Sequence, residues 1–260
     1  MSARMITSPQ NPLIQRIRRL QDKPRARREA GLFIVEGVRL CEEALSAGWI
    51  PHLALYTEDL SARGQVIVQQ AEKMGGETHI VSGSAFRAAS DTESPQGILL
   101  ALPIRNLSLP ADLDFILIPD MVRDPGNLGT ILRTAVAAGV QAVLLPPKTA
   151  DPYAPKVVRS AMGGHFHLPI HPLSWKAISK RLQDKQVYMA QARSGIPYTQ
   201  ADFRSPLALI VGGEARGASE QAQNLNPIRV HIPMKGMSES LNVAISAAVL
   251  MFEVARQRDW

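Results

Sequence analysis

From Phe115 onward, short apolar runs alternate with helical segments: FILIPD, NLGTILRTAVAAG, AVLLP, APKVVRSAMG, FHLPI, a helical stretch near 174–184, VYMAQA, LALIVGG, RVHIPM and a last helix from about Val243. Apolar runs without a polar residue at every second position suit strands covered on both faces, the condition of a parallel sheet whose crossover helices pack on either side. The pattern predicts an α/β domain with a largely parallel sheet. Ligands of such sheets bind at the carboxyl ends of the strands, where glycine-rich turns and helix N-termini gather. Three segments have that placement: DMVRDPGNLGTILRTA (120–135), LIVGGEARG (209–217) and IPMKGMSESLN (232–242).

Upstream, Leu13, Ile14, Ile17 and Leu20 recur at helical spacing in NPLIQRIRRLQ, which leaves Arg16, Arg18 and Arg19 on outward faces. GLFIVEG, VRLCEEALSAG with Gly48 as its stop, HLALYT, a helical stretch near 62–74, ETHIV and GILLALP then read as a smaller α/β domain. IRNLSLPADLD, whose polar residues lie between Pro103 just before it and Pro110, reads as a connection. The expected organisation is a first domain over 1–105, a linker over 106–112 and a second domain over 113–260.

The formal net charge of +6 sits at one end. Residues 1–30 carry eight basic side chains, Arg4, Arg16, Arg18, Arg19, Lys23, Arg25, Arg27 and Arg28, against Asp22 and Glu29, and the rest of the chain is balanced. A compact arginine-rich segment is an electrostatic footprint for phosphates, because each phosphate neutralised releases counterions. Cys41 is the sole cysteine, which excludes an intrachain disulfide and a cysteine-based zinc site and fits a reducing, cytoplasmic setting. No apolar stretch approaches the ~20 residues of a membrane span, so no membrane partner is expected.

The three segments do not form a standard nucleotide signature: GGEARG lacks the G-x-G-x-x-G spacing and no G-x-x-x-x-G-K-[ST] is present. In the first, Asn127 has the chemistry of a helix N-cap, Gly129 allows close backbone approach, and Arg133 lies six residues on, inside the predicted helix. In the second, Gly212 and Gly213 follow a strand directly and Glu214 opens the next turn. His165 and His167 would share one face of a strand in HFHLPIH, but no acidic partner or cysteine is spaced to complete a metal site, and none is expected. No G-x-S-x-G elbow points to a serine hydrolase.

In order, the segments resemble the three motifs of the SpoU/TrmH family of RNA 2'-O-methyltransferases in the SPOUT superfamily: Asn127-Leu128-Gly129 with Arg133, Gly212-Gly213-Glu214 with Gly217, and Ile232-Pro233-Met234 with Ser240-Leu241-Asn242. SPQNPLIQRIRRL and GLFIVEGVRLCEEAL resemble the L30e-like RNA substrate-binding domain that precedes many of these enzymes. The resemblance implies a C-terminal SPOUT domain with a deep trefoil knot, S-adenosylmethionine held by Gly212, Ile232 and Leu241, and a catalytic set of Asn127, Arg133, Glu214, Ser240 and Asn242. It assigns RNA binding to the N-terminal domain, where Arg16, Arg18, Arg19, Arg25, Arg27 and Arg28 are the candidate contacts. It also implies a homodimer packed through the knot region, and the last helix, apolar around most of its circumference, agrees with burial against the domain or a second copy. Ribosomal RNA is the leading substrate class; transfer RNA, or a noncatalytic assembly factor of the same fold, are the alternatives.

Overall fold

The computed structural model describes residues 5–213, 217–236 and 240–258, and the chain divides into two compact units. In the first unit, α1 (Pro12–Asp22) begins where the Asn11 side chain accepts the Leu13 N–H and Pro12 takes the first turn, where its missing N–H costs nothing. It is followed by α2 (Pro24–Ala30), β1 (Leu32–Glu36), α3 (Val38–Ser46), β2 (Leu53–Tyr56), α4 (Ala62–Lys73), β3 (Glu77–Ile80), α5 (Gly83–Ala89) and β4 (Ile98–Pro103). The sheet has the order β1-β4-β2-β3, with β4 antiparallel to both neighbours and β3 parallel to β2. The helical spacing read in α1 puts Ile14, Ile17 and Leu20 into a core with Ile34, Leu55, Phe86 and Leu99.

The second unit starts its sheet with β5 (Phe115–Asp120), buried along its whole length, then α6 (Pro125–Ala137) and β6 (Ala142–Leu145). Residues Tyr153–Phe166, with α7 (Pro155–Ala161) and a 3-10 turn at Gly164–Phe166, belong instead to the first unit. This differs from the single 113–260 stretch read from sequence, and the cause lies on β1. Leu32 and Ile34 face the core just described, whereas Phe33 points to the other side of the strand. There its ring meets Trp49 at 5.8 Å and Tyr153 at 5.0 Å, Trp49 meets Phe166 at 5.6 Å, and Arg159 pairs with Asp91 at 2.7 Å. Aromatic rings of this size need cover from water, and 153–166 supplies it. FHLPI is accordingly not one strand: His165 is buried in the first unit, and the strand is shorter and later.

The second unit continues with β7 (Ile170–Pro172), α8 (Trp175–Arg181), β8 (Gln186–Gln191), β9 (Ile196–Pro197), β10 (Leu207–Gly212), α9 (Glu220–Gln223), β11 (Ile228–His231) and α10 (Val243–Gln257). The seven strands are all parallel, in the order β7-β6-β5-β10-β8-β11-β9. α10 packs on α6 and β10.

One crossing in this sheet is unusual. β8 and β9 are consecutive in the chain, joined by residues 192–195, yet β11 lies between them, pairing Val230 with Ala190 on one side and with Ile196 on the other. The short connection therefore passes across a strand that comes later in sequence. Gly195 makes this possible: its φ is 99°, and a Cβ there would overlap the backbone of Arg229.

Candidate functional site

The strand order reverses at β5 and β10, which are neighbours although 86 residues separate Asp120 from Leu207, among them α6, four further strands and the excursion to the first unit. Their last aligned pair is Asp120 with Gly212. Beyond it, Met121 takes a left-handed conformation (φ 58°), uncommon for a residue with a side chain. Gly212 and Gly213 let the backbones close up: a Cβ on Gly212 would overlap Ala218, and one on Gly213 would overlap the Met121 carbonyl. The Gly217 N–H donates to the Gly213 carbonyl at 2.9 Å, closing the glycine turn. Asp120 is wholly buried; its Oδ2 accepts the Ser219 N–H at 2.5 Å, and its Oδ1 has no hydrogen-bond partner among the described residues. The last residue of the central strand thus pins the chain where the turn returns. Glu214 lies outside the described residues.

Asn127 does not cap α6. Asp124 does, its Oδ1 accepting the Asn127 N–H at 2.8 Å, with Pro125 in the first turn. One turn in, Asn127 directs its side chain elsewhere, and its Oδ1 accepts a hydrogen bond from Asn242 Nδ2 at 3.0 Å. Asn242 is the N-cap of α10, its own Oδ1 accepting from the N–H groups of Ala244 (2.8 Å) and Ile245 (3.4 Å). One side-chain amide therefore starts a helix and ties it to the first turn of another. Both ends of Asn242 are used, as its one acceptor and one donor group allow.

At the carboxyl ends of β10, β8 and β11 lies a cavity of about 860 Å³. Gly212, Ile232, Ser240, Leu241 and Asn242, all singled out in the sequence, line it together, so segments two and three meet in one wall and Asn127 of segment one touches that wall through Asn242. Arg133 lies on α6, exposed, outside the lining and with no ion pair to a described residue. Sequence reasoning missed Gln191, Arg193 and Ser246, which also line the cavity. Gln191 and Arg193 had a signal, since they are polar residues immediately after the apolar run VYMA. Ser246 sits inside an apolar helix and had none. The lining is mostly apolar side chains and strand-end backbone, suited to a flat heterocycle recognised by main-chain groups.

In the first unit Arg16, Arg18, Arg19, Arg25 and Arg28 are exposed. Arg18 and Arg25 make helical ion pairs with Asp22 (3.8 Å) and Glu29 (2.6 Å), solvent-exposed pairs of small energetic weight that other anions can displace. Arg27 departs from the expectation: it is 2% exposed, and its guanidinium donates to the Leu20 (2.6 Å) and Gln21 (2.8 Å) carbonyls at the end of α1. Those carbonyls have no helical partner, so Arg27 is spent on a helix end and is withdrawn from the surface. The Cys41 thiol is buried, and burial pushes its pKa far above the ordinary range, which keeps it a protonated, unreactive core group.

The model of the SpoU rRNA Methylase family matches residues 114–252, and that of the MRM3-like substrate binding domain matches residues 11–100. The chain is 32% identical to the 23S rRNA (guanosine(2553)-2'-O)-methyltransferase RlmP of Bacillus subtilis strain 168, over 96% of this chain and 99% of the relative. It is 28% identical to the 23S rRNA (uridine(2479)-2'-O)-methyltransferase of Streptomyces viridochromogenes, over 99% and 93%. Among solved structures it is similar to the AdoMet-bound rRNA methyltransferase of Sinorhizobium meliloti, with a TM-score of 0.87, 29% identity and 97% of each chain covered. On the match over residues 114–252 and the near full-length likeness to RlmP, the chain belongs to the SpoU rRNA methylase family.

Proposed function

We propose that this protein transfers a methyl group from S-adenosylmethionine to a ribose 2'-hydroxyl of ribosomal RNA. The observation that carries the reading is the joining of all three sequence segments at one cavity, through its lining and the Asn242–Asn127 hydrogen bond. The residues fit the cofactor: the cavity of about 860 Å³ lies in the range of ligand pockets of ~300–1,000 Å³, and Gly212, Gly213 and Gly217 bring main-chain groups to its lining, with no room for a Cβ at Gly212 or Gly213. Gly212, Ile232 and Leu241 are the groups to hold adenine and ribose. Bound there, S-adenosylmethionine supplies an electrophilic methyl group. Relatives named for guanosine and for uridine share the 2'-O reaction on 23S rRNA, which supports the ribose and the ribosomal substrate over a particular base.

The protein must orient the hydroxyl and stabilise charge on its oxygen. Arg133 serves as a positioner. A guanidinium is already protonated near neutrality and so is a poor proton acceptor, but its planar fork can donate to a phosphate and to the hydroxyl oxygen together. Asn127, Ser240 and Asn242 hold the wall around which the nucleotide is placed, and Glu214 is assigned with them by resemblance. Arg133→Lys keeps the charge and loses the fork, so turnover falls at least tenfold in a methyl-transfer assay; turnover near wild type overturns the role.

The exposed apolar residues Ile245 (51%) and Phe252 (41%) on α10 and Val136 (38%) on α6 support a homodimer through this region. The strand order β8-β11-β9, with residues 192–195 across β11, supports the family's trefoil knot here. The protein is assigned to the cytoplasm, with the ribosomal RNA. Mapping ribose methylation across cellular RNA with and without the gene tests the function: one lost 2'-O-methyl group in ribosomal RNA is expected. Loss in transfer RNA alone overturns the substrate, and retained RNA binding without methyl transfer by the purified protein overturns the enzyme.

A further inference from the structure

We infer that Arg193 anchors the amino-acid end of the cofactor, its guanidinium pairing with the ligand's α-carboxylate. The inference rests on the cofactor reading above. Among the described residues that line the cavity, Arg193 is the only one with an ionisable side chain; the polar remainder, Gln191, Ser240, Asn242 and Ser246, is neutral. S-adenosylmethionine has a nearly neutral nucleoside end and a charged end bearing a carboxylate. The glycine turn with Ile232 and Leu241 offers main-chain groups and apolar walls, which suit the first end and leave the carboxylate without a counter-charge. An arginine matches a carboxylate in charge and in shape, through two parallel N–H···O bonds.

The position of Arg193 is set by the crossing already described. Gln191 ends β8 in register with His231, and Ile196 opens β9 in register with Val230, so residues 192–195 are held at both ends by β11. Gly195 lies against the Arg229 backbone, and its carbonyl is 3.1 Å from His231 Nδ1. β11 runs directly into Ile232, on the cavity wall. The connection that carries Arg193 is therefore fastened to the strand that delivers the adenosine-binding wall, and the spacing between the two ends of the ligand site is built into the fold. The Arg193 side chain itself is exposed, so its replacement opens no cavity in the core.

Calorimetric binding of two ligands to wild type, Arg193→Ala and Arg193→Lys tests the assignment without turnover. S-adenosylhomocysteine carries the carboxylate; 5'-methylthioadenosine has the same adenosine and a thioether but no amino-acid end. Arg193→Ala is expected to weaken S-adenosylhomocysteine tenfold or more, the range of a charge-assisted pair, and to leave 5'-methylthioadenosine within about twofold. Arg193→Lys is expected to fall between. Equal weakening of both ligands, or no weakening of either, overturns the assignment, as does a loss confined to RNA affinity, which would make Arg193 a phosphate contact. Wild type that binds neither ligand overturns the cofactor reading itself.

Discussion

Asn242 does two separable things with one side chain. Its oxygen caps α10 and its amide nitrogen reaches Asn127. Asn242→Asp keeps the capping oxygen, gains charge complementary to the helix N-terminus, and loses the donor to Asn127. The thermal midpoint should therefore stay near wild type while methyl transfer falls at least tenfold. Asn242→Ala loses both, with a cap cost of about 1 kcal/mol in addition. If Asp and Ala variants melt alike and transfer alike, the link to Asn127 has no functional part. Asp120 shows the same economy at the other side of the site: an acidic side chain, fully buried and with one hydrogen bond among the described residues, is costly to keep, and it stands where the glycine turn rejoins α9 through Ser219.

Among the elements, the short connection between β8 and β9 and the last helix carry the strongest demands. Gly195 has both a positive φ and no room for a Cβ. Gly195→Val should cost more than the ~1–3 kcal/mol of left-handed strain alone, because the overlap is with the backbone of Arg229, which cannot swing aside as a side chain can. Denaturant unfolding reads this directly, and a midpoint unchanged from wild type would mean that the crossing is not tight. α10 buries Val243, Ala247, Leu250, Met251 and Val254 while leaving Ile245 and Phe252 exposed. A helix with apolar residues on both sides is expected to be covered on both. Phe252→Glu places a charge in that outer face and should convert a dimer to a monomer in light scattering at micromolar concentration, with the fold retained by circular dichroism. A wild type already monomeric there would refute the dimer.

For the whole molecule, the two units divide the work in a way that can be read by salt. The basic excess is confined to residues 1–30, and five of its arginines are exposed on the first unit. Reversing Arg16, Arg18 and Arg19 to Glu should weaken RNA binding and flatten the slope of log affinity against log salt. Binding of S-adenosylhomocysteine, a property of the second unit, should not change. An unaltered salt slope would move the RNA contact away from α1.

Much of this was legible in the chain. The apolar runs FILIPD, AVLLP and LALIVGG specified buried parallel strands, because burial on both faces leaves no polar position to mark a face. The spacing of Leu13, Ile14, Ile17 and Leu20 specified α1, and glycine and polar residues at strand ends marked the site. Other features were not legible, for physical reasons. α2 and α5 are seven residues each and hold a single large apolar side chain between them, Phe86, so neither shows an apolar period. The allegiance of 153–166 to the first unit depends on Phe33, a residue over 100 positions away, presenting an aromatic face that needs cover. Arg27 and Arg28 are neighbours of identical chemistry, and only the fold buries one against open carbonyls and leaves the other exposed. Arg193 lines the cavity because β11 passes between β8 and β9 and holds its loop there. The sequence by itself determined most of the strands of the second sheet, which end is basic and part of the cavity lining, since these follow from local pattern and side-chain chemistry. Which of them meet was decided by the tertiary structure alone, because hydrogen bonds such as Asn242 to Asn127 join residues that only long-range packing brings within reach.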